Sequence, residues 1–519
     1  MQFWRAKPRR FALNRPGPAL PVETVERGPA AFNLLMGVLF TLATIAILNR
    51  ESPNATVAQI WLRIGGYTVL TSLSAIVLAL YLSSFHGEIR GRRGTVFVWG
   101  LTLVGLFGYV RLASALGWPL QFAPVTLFGM LLAISVGHGL AIANIFTFTL
   151  LARLTGLLVG DDYHAVLALF PGSALAVFGM RSLRRRSRIL NVGILSGVVH
   201  AVTLLGIHLV TTRDFNLQEH LDFLKKDAAL GLINGVATAF IVTGLLPFLE
   251  RVFKITTELS LLELADFNQP LLKKLSLEAP GTHYHSIRVS ELAEGAVGAI
   301  GGHSLLARVG CLYHDIGKTN KPEYFVENEP TAGSRHKSLS PAMSTLIIKA
   351  HVKDGVEMAE YFGLPAEVID FITQHHGTML IEYFYREATT AAEESGTGEE
   401  INPADFRYPG PKPQTRETAV AMLADAVEAA ARTLTDPTPV RLEGLVRDMA
   451  LKRLNDGQLS ECNLTMQEME TVIASFVRTL TGIYHSRIRY PDQKADSELE
   501  RSARGAPEPP RVVERNPKP

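Results

Sequence analysis

Cysteine is nearly absent: Cys311 and Cys462 are the only two in 519 residues. Two thiols do not make a disulfide framework, and they read as small core residues. An excess of either charge is also lacking. The 51 Lys and Arg against 49 Asp and Glu leave +2, which excludes a dedicated nucleic-acid polymer binder, because such proteins draw phosphate contacts from a large basic surplus. No alternating apolar–polar pattern runs from Leu259 through Tyr490, so no sheet is expected there. What the chain has in quantity is apolar residues, 47% of the total, and a mean hydropathy of +0.17 is high for a soluble protein of this length.

The apolar residues are unevenly placed. From about Ala31 to Leu249 they form long runs, and from Glu250 onward charges recur on every helical turn. A spanning helix needs roughly 20 mostly apolar residues, and eight segments approach that: 31–49, 61–83, 96–116, 120–136, 138–158, 163–180, 189–211 and 228–249. The first is too long for a signal-peptide core and no small-residue cleavage site follows it. Lys and Arg mark the cytoplasmic side. They gather at the N-terminus (Arg5, Lys7, Arg9, Arg10, Arg15), in the second connection (Arg90, Arg92, Arg93) and in the sixth (Arg181, Arg184, Arg185, Arg186, Arg188). The uncharged turn at Trp118-Pro119 and the acidic one at Asp161-Asp162 then face outward. The seventh connection, where Lys225 and Lys226 meet Asp214, Glu219, Asp222 and Asp227, fits the outside less well. An even number of spans returns the C-terminal half to the cytoplasm. Arg63, Arg111 and Arg153 fall near outer helix ends, where they can snorkel or pair with Asp161 and Asp162. His138, His164, His200 and His208 lack metal-site spacing and read as packed residues.

The C-terminal half is expected to be all-helical, its apolar residues at helical spacing and punctuated by Pro270 and Pro280-Gly281. It carries His285 on one helix, His314-Asp315 on another in ARVGCLYHDIGK, His351 in IIKAHVKDG, His375-His376 at the end of EVIDFITQHHG and Asp425 in AMLADAVEAA. Apolar neighbours aim each toward a bundle interior. Seven imidazole and carboxylate groups on five helices can hold two divalent transition ions.

In this order, H…HD…H…HH…D, the residues resemble the HD-domain hydrolases, and the chain is similar to the membrane-bound PgpH-type branch, the 7TM-HD proteins. The likeness runs from about Tyr67 to Pro491 and is dense in LLPFLERVFKITTELSLLELAD, EAPGTHYHS, LLARVGCLYHDIGKTNKPEYFVEN, ITQHHGT, FRYPGPKPQT and HSRIRYP. One departure stands out. Members of the branch typically hold a large extracellular domain after the first span, whereas here only the stretch around Asn49 to Gln59 lies between the first span and the rest, which puts regulation in doubt.

The resemblance implies hydrolysis of cyclic di-AMP to linear pApA in second-messenger signalling, with two divalent cations, manganese or iron. It implies that His285, His314, Asp315 and Asp425 hold one cation, that His351, His375 and His376 hold the other, and that Asp315 bridges them. The paired cations would acidify a shared water for in-line attack on phosphorus. Lys318, a turn beyond Asp315, can reach the same phosphate as a point charge. His336 in GSRHKSLSP and Lys412 in the loop 409–415 are candidates for the rim of a substrate pocket, with plain structural turns as the competing reading. Two rival functions remain: an HD hydrolase of cyclic di-GMP or a guanosine polyphosphate, which the absence of a GYP motif disfavours, and a catalytically silent membrane receptor, which the complete ligand set disfavours.

The expected organisation is a basic cytoplasmic N-terminus (1–30), a transmembrane region of about eight helices (31–249), a cytoplasmic HD phosphodiesterase domain (250–490) and a disordered tail (491–519) too poor in apolar residues to fold. Residues 388–406 read as an exposed acidic loop. The protein is placed in a bacterial-type inner membrane as a multi-pass protein. Its partners are the lipid bilayer and a cyclic dinucleotide, not a nucleic acid polymer, and association into a homo-oligomer is left open.

Overall fold

A computed structural model describes residues 30–48, 56–85, 93–155, 161–181, 185–212, 217–253, 256–329, 335–395 and 400–484. The expected basic N-terminus, the connection at Arg90 and Arg92, most of the stretch after the first span, and the expected tail lie outside these residues. Every regular element among the described residues is helical, and the β-type pairing among them is one isolated antiparallel bridge, Leu380 with Arg407. The chain is an all-α protein.

The apolar half forms α1 (Ala30–Leu48), α2 (Val57–Phe85), α3 (Arg93–Leu116), α4 (Val125–Ser135), α5 (His138–Leu154), α6 (Asp161–Gly179), α7 (Arg186–Thr211), α8 (Leu217–Phe223) and α9 (Ala229–Phe253). Four stretches are long and apolar enough to cross a membrane: Val57–Val77, Trp99–Leu116, Arg186–Thr211 and Leu221–Arg251. Shorter apolar helices occupy the places of the other four expected spans. Two expected boundaries are corrected. The fourth segment, expected over 120–136, is broken: a 3-10 turn at Leu120–Phe122 precedes Pro124, and α4 starts only at Val125, because proline disfavours a helical residue before it. The charged seventh connection is partly helical, since α8 runs through a π-helical turn, Leu224–Ala228, into α9. The charge there is met from within the bundle, where Gln121 Nε2 donates to Asp227 Oδ1 at 2.7 Å.

Packing among these helices relies on small residues. A Cβ on Gly235 of α9 would stand 2.6 Å from the backbone N of Gly197 on α7, so the two backbones touch along a Gly193/Gly197 face and a Gly231/Gly235 face. Polar side chains pair inside: Thr126 with Ser173 at 2.8 Å, and Asn144 Nδ2 with Thr102 Oγ1 at 3.1 Å. Large apolar side chains such as Leu62, Val69, Val202 and Phe240 point outward, as a lipid-facing surface requires. The Arg153 guanidinium lies 5.0 Å over the Tyr163 ring, while the Asp161 and Asp162 side chains expected to pair with it lie outside the description. His208 stacks on Phe223 with centroids 4.1 Å apart, and His200 is 2% exposed; both are packed residues.

The remaining helices are α10 (Glu258–Leu264), α11 (Pro270–Glu278), α12 (Pro280–Ala299), α13 (Ser304–Tyr313), α14 (Pro341–Tyr361), α15 (Ala366–Gln374), α16 (Glu382–Ser395), α17 (Arg416–Ala431), α18 (Pro439–Asn455) and α19 (Met466–Tyr484). The chain divides into two compact units. The first is Met1–Pro280 with Leu312–Pro322 and Ile348–Thr373; the second is Gly281–Cys311, Glu323–Ile347 and Gln374–Pro519. In the first unit a Thr257–Ser260 capping box starts α10, Arg186 at the start of α7 reaches Glu263 at 2.8 Å, and Thr256 Oγ1 donates to Glu367 on α15 at 2.7 Å. In the second, α19 buries Met469, Val472, Ile473, Phe476 and Leu480 at i, i+3/i+4 spacing. A Thr415–Thr418 capping box starts α17, which is buried over Thr418–Ala424. The exposed loop expected over 388–406 is corrected as well: α16 continues to Ser395 and a 3-10 turn covers Pro403–Phe406. Its alanines and glutamates are good helix formers, and that local preference outweighs the polar composition.

Candidate metal centre

Two of the ligand-bearing pairs sit just past helix ends, which corrects the expectation that all seven groups lie on helices. Helix α13 stops at Tyr313, His314 and Asp315 form a turn, and a 3-10 helix Ile316–Asn320 follows. The stop has a tertiary cause. A Cβ on Gly317 would collide with the carbonyl oxygen of His351 and lie 2.6 Å from the Gly355 N, so the chain after Asp315 runs against the backbone of α14. Only glycine permits that approach, and it seats Asp315 beside His351. The Tyr313 hydroxyl donates to the Leu264 carbonyl at 2.8 Å and fixes the other side of the turn. Likewise α15 ends at Gln374, before His375 and His376. Gly377 adopts φ +50°, and Thr378 N donates to Gln458 Oε1 at 2.9 Å. This turn carries the HHG run.

His285 lies on α12, His351 on α14 and Asp425 on α17, as expected. His351 donates Nδ1–H to the Ile348 carbonyl at 2.6 Å, which leaves Nε2 directed to Asp315 Oδ1 at 3.4 Å. The other oxygen of Asp315 meets Lys318 Nζ at 2.7 Å and His314 Nε2 at 3.2 Å. His285 Nε2 faces Asp425 Oδ1 at 3.0 Å, and its Nδ1 is 2.5 Å from Glu428 Oε2. His376 Nδ1 is 3.7 Å from Asp425 Oδ2. Its ring stacks on Tyr408, with centroids 4.2 Å apart and planes 24° from parallel. One ligand-capable atom from each of Asp315, His351, His375 and His376 falls within 4.8 Å of the others, and the same holds for His285, His314 and Asp425. Such sets of imidazole nitrogens and carboxylate oxygens suit manganese, iron or zinc better than calcium, which prefers all-oxygen cages.

Asp315, His314 and His351 are 1% exposed, whereas Asp425 keeps 13%, His376 16% and Lys318 12%. Those three are the more accessible side chains. The other two candidates make contacts within the second unit. His336 bonds the Tyr324 carbonyl through Nε2 at 2.8 Å and packs beside Phe384, and Lys412 donates to Ser460 Oγ at 3.3 Å. Burial, with the charge of Asp425 adding to it, pushes the Cys311 thiol up, so it stays protonated and inert. Two residues escaped the sequence. Tyr408 lies in the FRYPGPKPQT motif without being marked there as a partner of the centre, and Glu428 follows Asp425 by three positions and so shares its helix face.

Residues 61–257 match the family described as 7TM receptor with intracellular HD hydrolase, and residues 282–430 match the HD domain. The chain thus carries one segment similar to each of these two families. Among its relatives, the cyclic-di-AMP phosphodiesterase PgpH of Bacillus subtilis (strain 168) is 42% identical over 307 residues, 59% of this chain and 42% of that protein. The protein of the same name from Listeria monocytogenes serotype 1/2a (strain 10403S) is 38% identical over 379 residues, 73% of this chain and 50% of that protein. The chain thus spans about half the length of the curated relatives it matches. A crystal structure of the L. monocytogenes PgpH HD domain in complex with cyclic-di-AMP is 45% identical, covers 43% of this chain and 100% of its own, and superposes with a TM-score of 0.40. The match to a 7TM family and the four helices long and apolar enough to cross a bilayer together mark a membrane protein.

Proposed function

We propose that this membrane-bound HD protein is a metal-dependent phosphodiesterase that opens cyclic di-AMP to linear pApA, with two divalent cations at the ligand groups. The observation that carries the reading is the convergence of seven imidazole and carboxylate side chains into two sets, each within 4.8 Å. The name and substrate of the relatives point to the adenine dinucleotide. The basic clusters inside and the bare turns outside support a cytoplasmic N-terminus and HD domain. The division into 1–30, 31–249, 250–490 and 491–519 belongs to the same proposal.

His285, His314 and Asp425 would hold one cation and His351, His375 and His376 the other, with Asp315 between. The bound pair would supply a water acidic enough to attack at neutral pH and positive charge to offset the phosphoryl oxygens. The residues do the rest. Asp315 offers one oxygen to each side, and the Nδ1 bond of His351 to Ile348 keeps its Nε2 lone pair inward. Lys318 places a partly accessible ammonium beside Asp315, where a scissile phosphate would gain from a point charge. Burial of the centre keeps bulk water from screening these charges.

The test is an assay of the purified full chain in detergent, loaded with manganese or ferrous iron, on cyclic di-AMP, cyclic di-GMP and guanosine polyphosphates side by side. Linearisation of cyclic di-AMP, lost in His314→Ala and Asp315→Ala, is the expected result. Turnover confined to a guanine nucleotide would transfer the substrate assignment, and no turnover of any would leave the silent-receptor reading standing in its place.

A further inference from the structure

We infer that Glu428 is a positioning residue that fixes the tautomer and donor strength of His285. This rests on the reading of His285 as a metal ligand and extends it to a residue outside the H…HD…H…HH…D set. Glu428 lies one turn beyond Asp425 on α17, and the two carboxylates hold the His285 ring from opposite edges: Asp425 Oδ1 at 3.0 Å from Nε2, Glu428 Oε2 at 2.5 Å from Nδ1. His285 is 5% exposed and Glu428 6%. Such burial makes a carboxylate costly unless it is bonded. Among the described residues its other oxygen meets Arg432 Nε at 4.0 Å, from a side chain that is 45% exposed, so the short bond to His285 is the closer compensation.

The consequence is chemical. An ionised carboxylate only accepts hydrogen bonds, so the bond to Glu428 takes the Nδ1 proton, and a cation held between His285 and Asp425 would then meet the Nε2 lone pair. Glu428 is itself outside both ligand sets. His351 shows the contrasting case, since its Nδ1 is anchored by a neutral backbone carbonyl, Ile348 O. A carboxylate anchor makes an imidazole a more basic donor than a carbonyl anchor does. The two cation positions therefore differ: the one served by His285 has the more strongly donating imidazole and depends on Glu428.

The experiment measures Mn2+ binding to the full chain in detergent by competition with a fluorescent chelator, together with bound-metal stoichiometry and thermal unfolding. Wild type is compared with Glu428→Gln and Glu428→Ala. One of two cation equivalents is expected to weaken about 10- to 100-fold in Glu428→Ala, the range for losing such an anchor, with the second equivalent unchanged. Glu428→Gln keeps an acceptor without the charge and is expected to recover part of the loss. Should Glu428→Ala fail to fold, the near-isosteric Glu428→Gln still decides. Both equivalents at wild-type affinity in Glu428→Gln and in any folded Glu428→Ala overturn the inference while leaving the centre intact. A wild-type chain that takes up no metal sinks the centre and this inference together.

Discussion

Lys318 Nζ lies 2.7 Å from Oδ2 of Asp315, while Oδ1 of the same carboxylate faces His351 Nε2 at 3.4 Å. A lysine that sequence spacing puts one turn beyond Asp315 is thus tied to the most buried carboxylate of the centre. Replacing it with methionine keeps the stem and removes the charge. Lys318→Met is expected to lower kcat on cyclic di-AMP about 100-fold, the scale for deleting one stabilising donor. The check is steady-state kinetics beside a metal-content measurement. A loss of metal with unchanged kcat per loaded centre would assign Lys318 to assembly alone.

Chelation supplies a second expectation. Prolonged treatment with EDTA should abolish turnover, and added Mn2+ should restore it, because the imidazole and carboxylate ligands bind reversibly. Activity that persists in metal-free protein would contradict the proposed centre.

Gly317 is the position where the chain after Asp315 presses on α14. Gly317→Ala should push this segment away from His351 and separate two ligands of one set. Bound metal is expected to fall at least about tenfold, as misplaced ligands cost affinity. Measuring stoichiometry in the purified variant tests this; wild-type loading would mean that the contact is easily relieved.

The Tyr313 hydroxyl bond to the Leu264 carbonyl is buried and lies next to His314. Tyr313→Phe should cost about 1 kcal/mol, the usual net worth of one such bond. A lowered thermal midpoint of the full chain is the expected readout, and an unchanged midpoint would show that the carbonyl finds another donor.

Thiol labelling separates the two cysteines. Cys311 is fully buried, and burial followed by the Asp425 charge raises its pKa; the thiolate that reacts is therefore scarce at any pH the fold tolerates. Cys462 is partly exposed and its pKa is raised by burial as well. Maleimide should modify Cys462 slowly, faster as pH rises, and spare Cys311 until the protein unfolds. Peptide mapping after labelling from pH 7 to 9 reads this directly.

Much of the architecture was legible beforehand because it follows from composition along the chain. Long apolar runs mark α1 through α7 and α9 wherever they pack, and helical spacing marks the C-terminal helices. What composition could not show is where helices stop. His314-Asp315 and His375-His376 lie beyond α13 and α15 because Gly317 meets α14 and Thr378 meets Gln458, partners distant in sequence. The polar run after residue 388 misled for a related reason: its helix-forming residues extended α16, and polarity alone does not break a helix.

By itself the sequence determined that this protein is helical, has an apolar half of membrane-crossing character, and carries seven metal-capable groups in HD order. Tertiary structure decided that these groups gather in two sets, that Lys318 bonds Asp315, and that Glu428 and Tyr408 back His285 and His376. The physical reason is range. Hydropathy and helix periodicity act between residues a few positions apart, whereas the orientation of an imidazole depends on a hydrogen bond made 143 residues away.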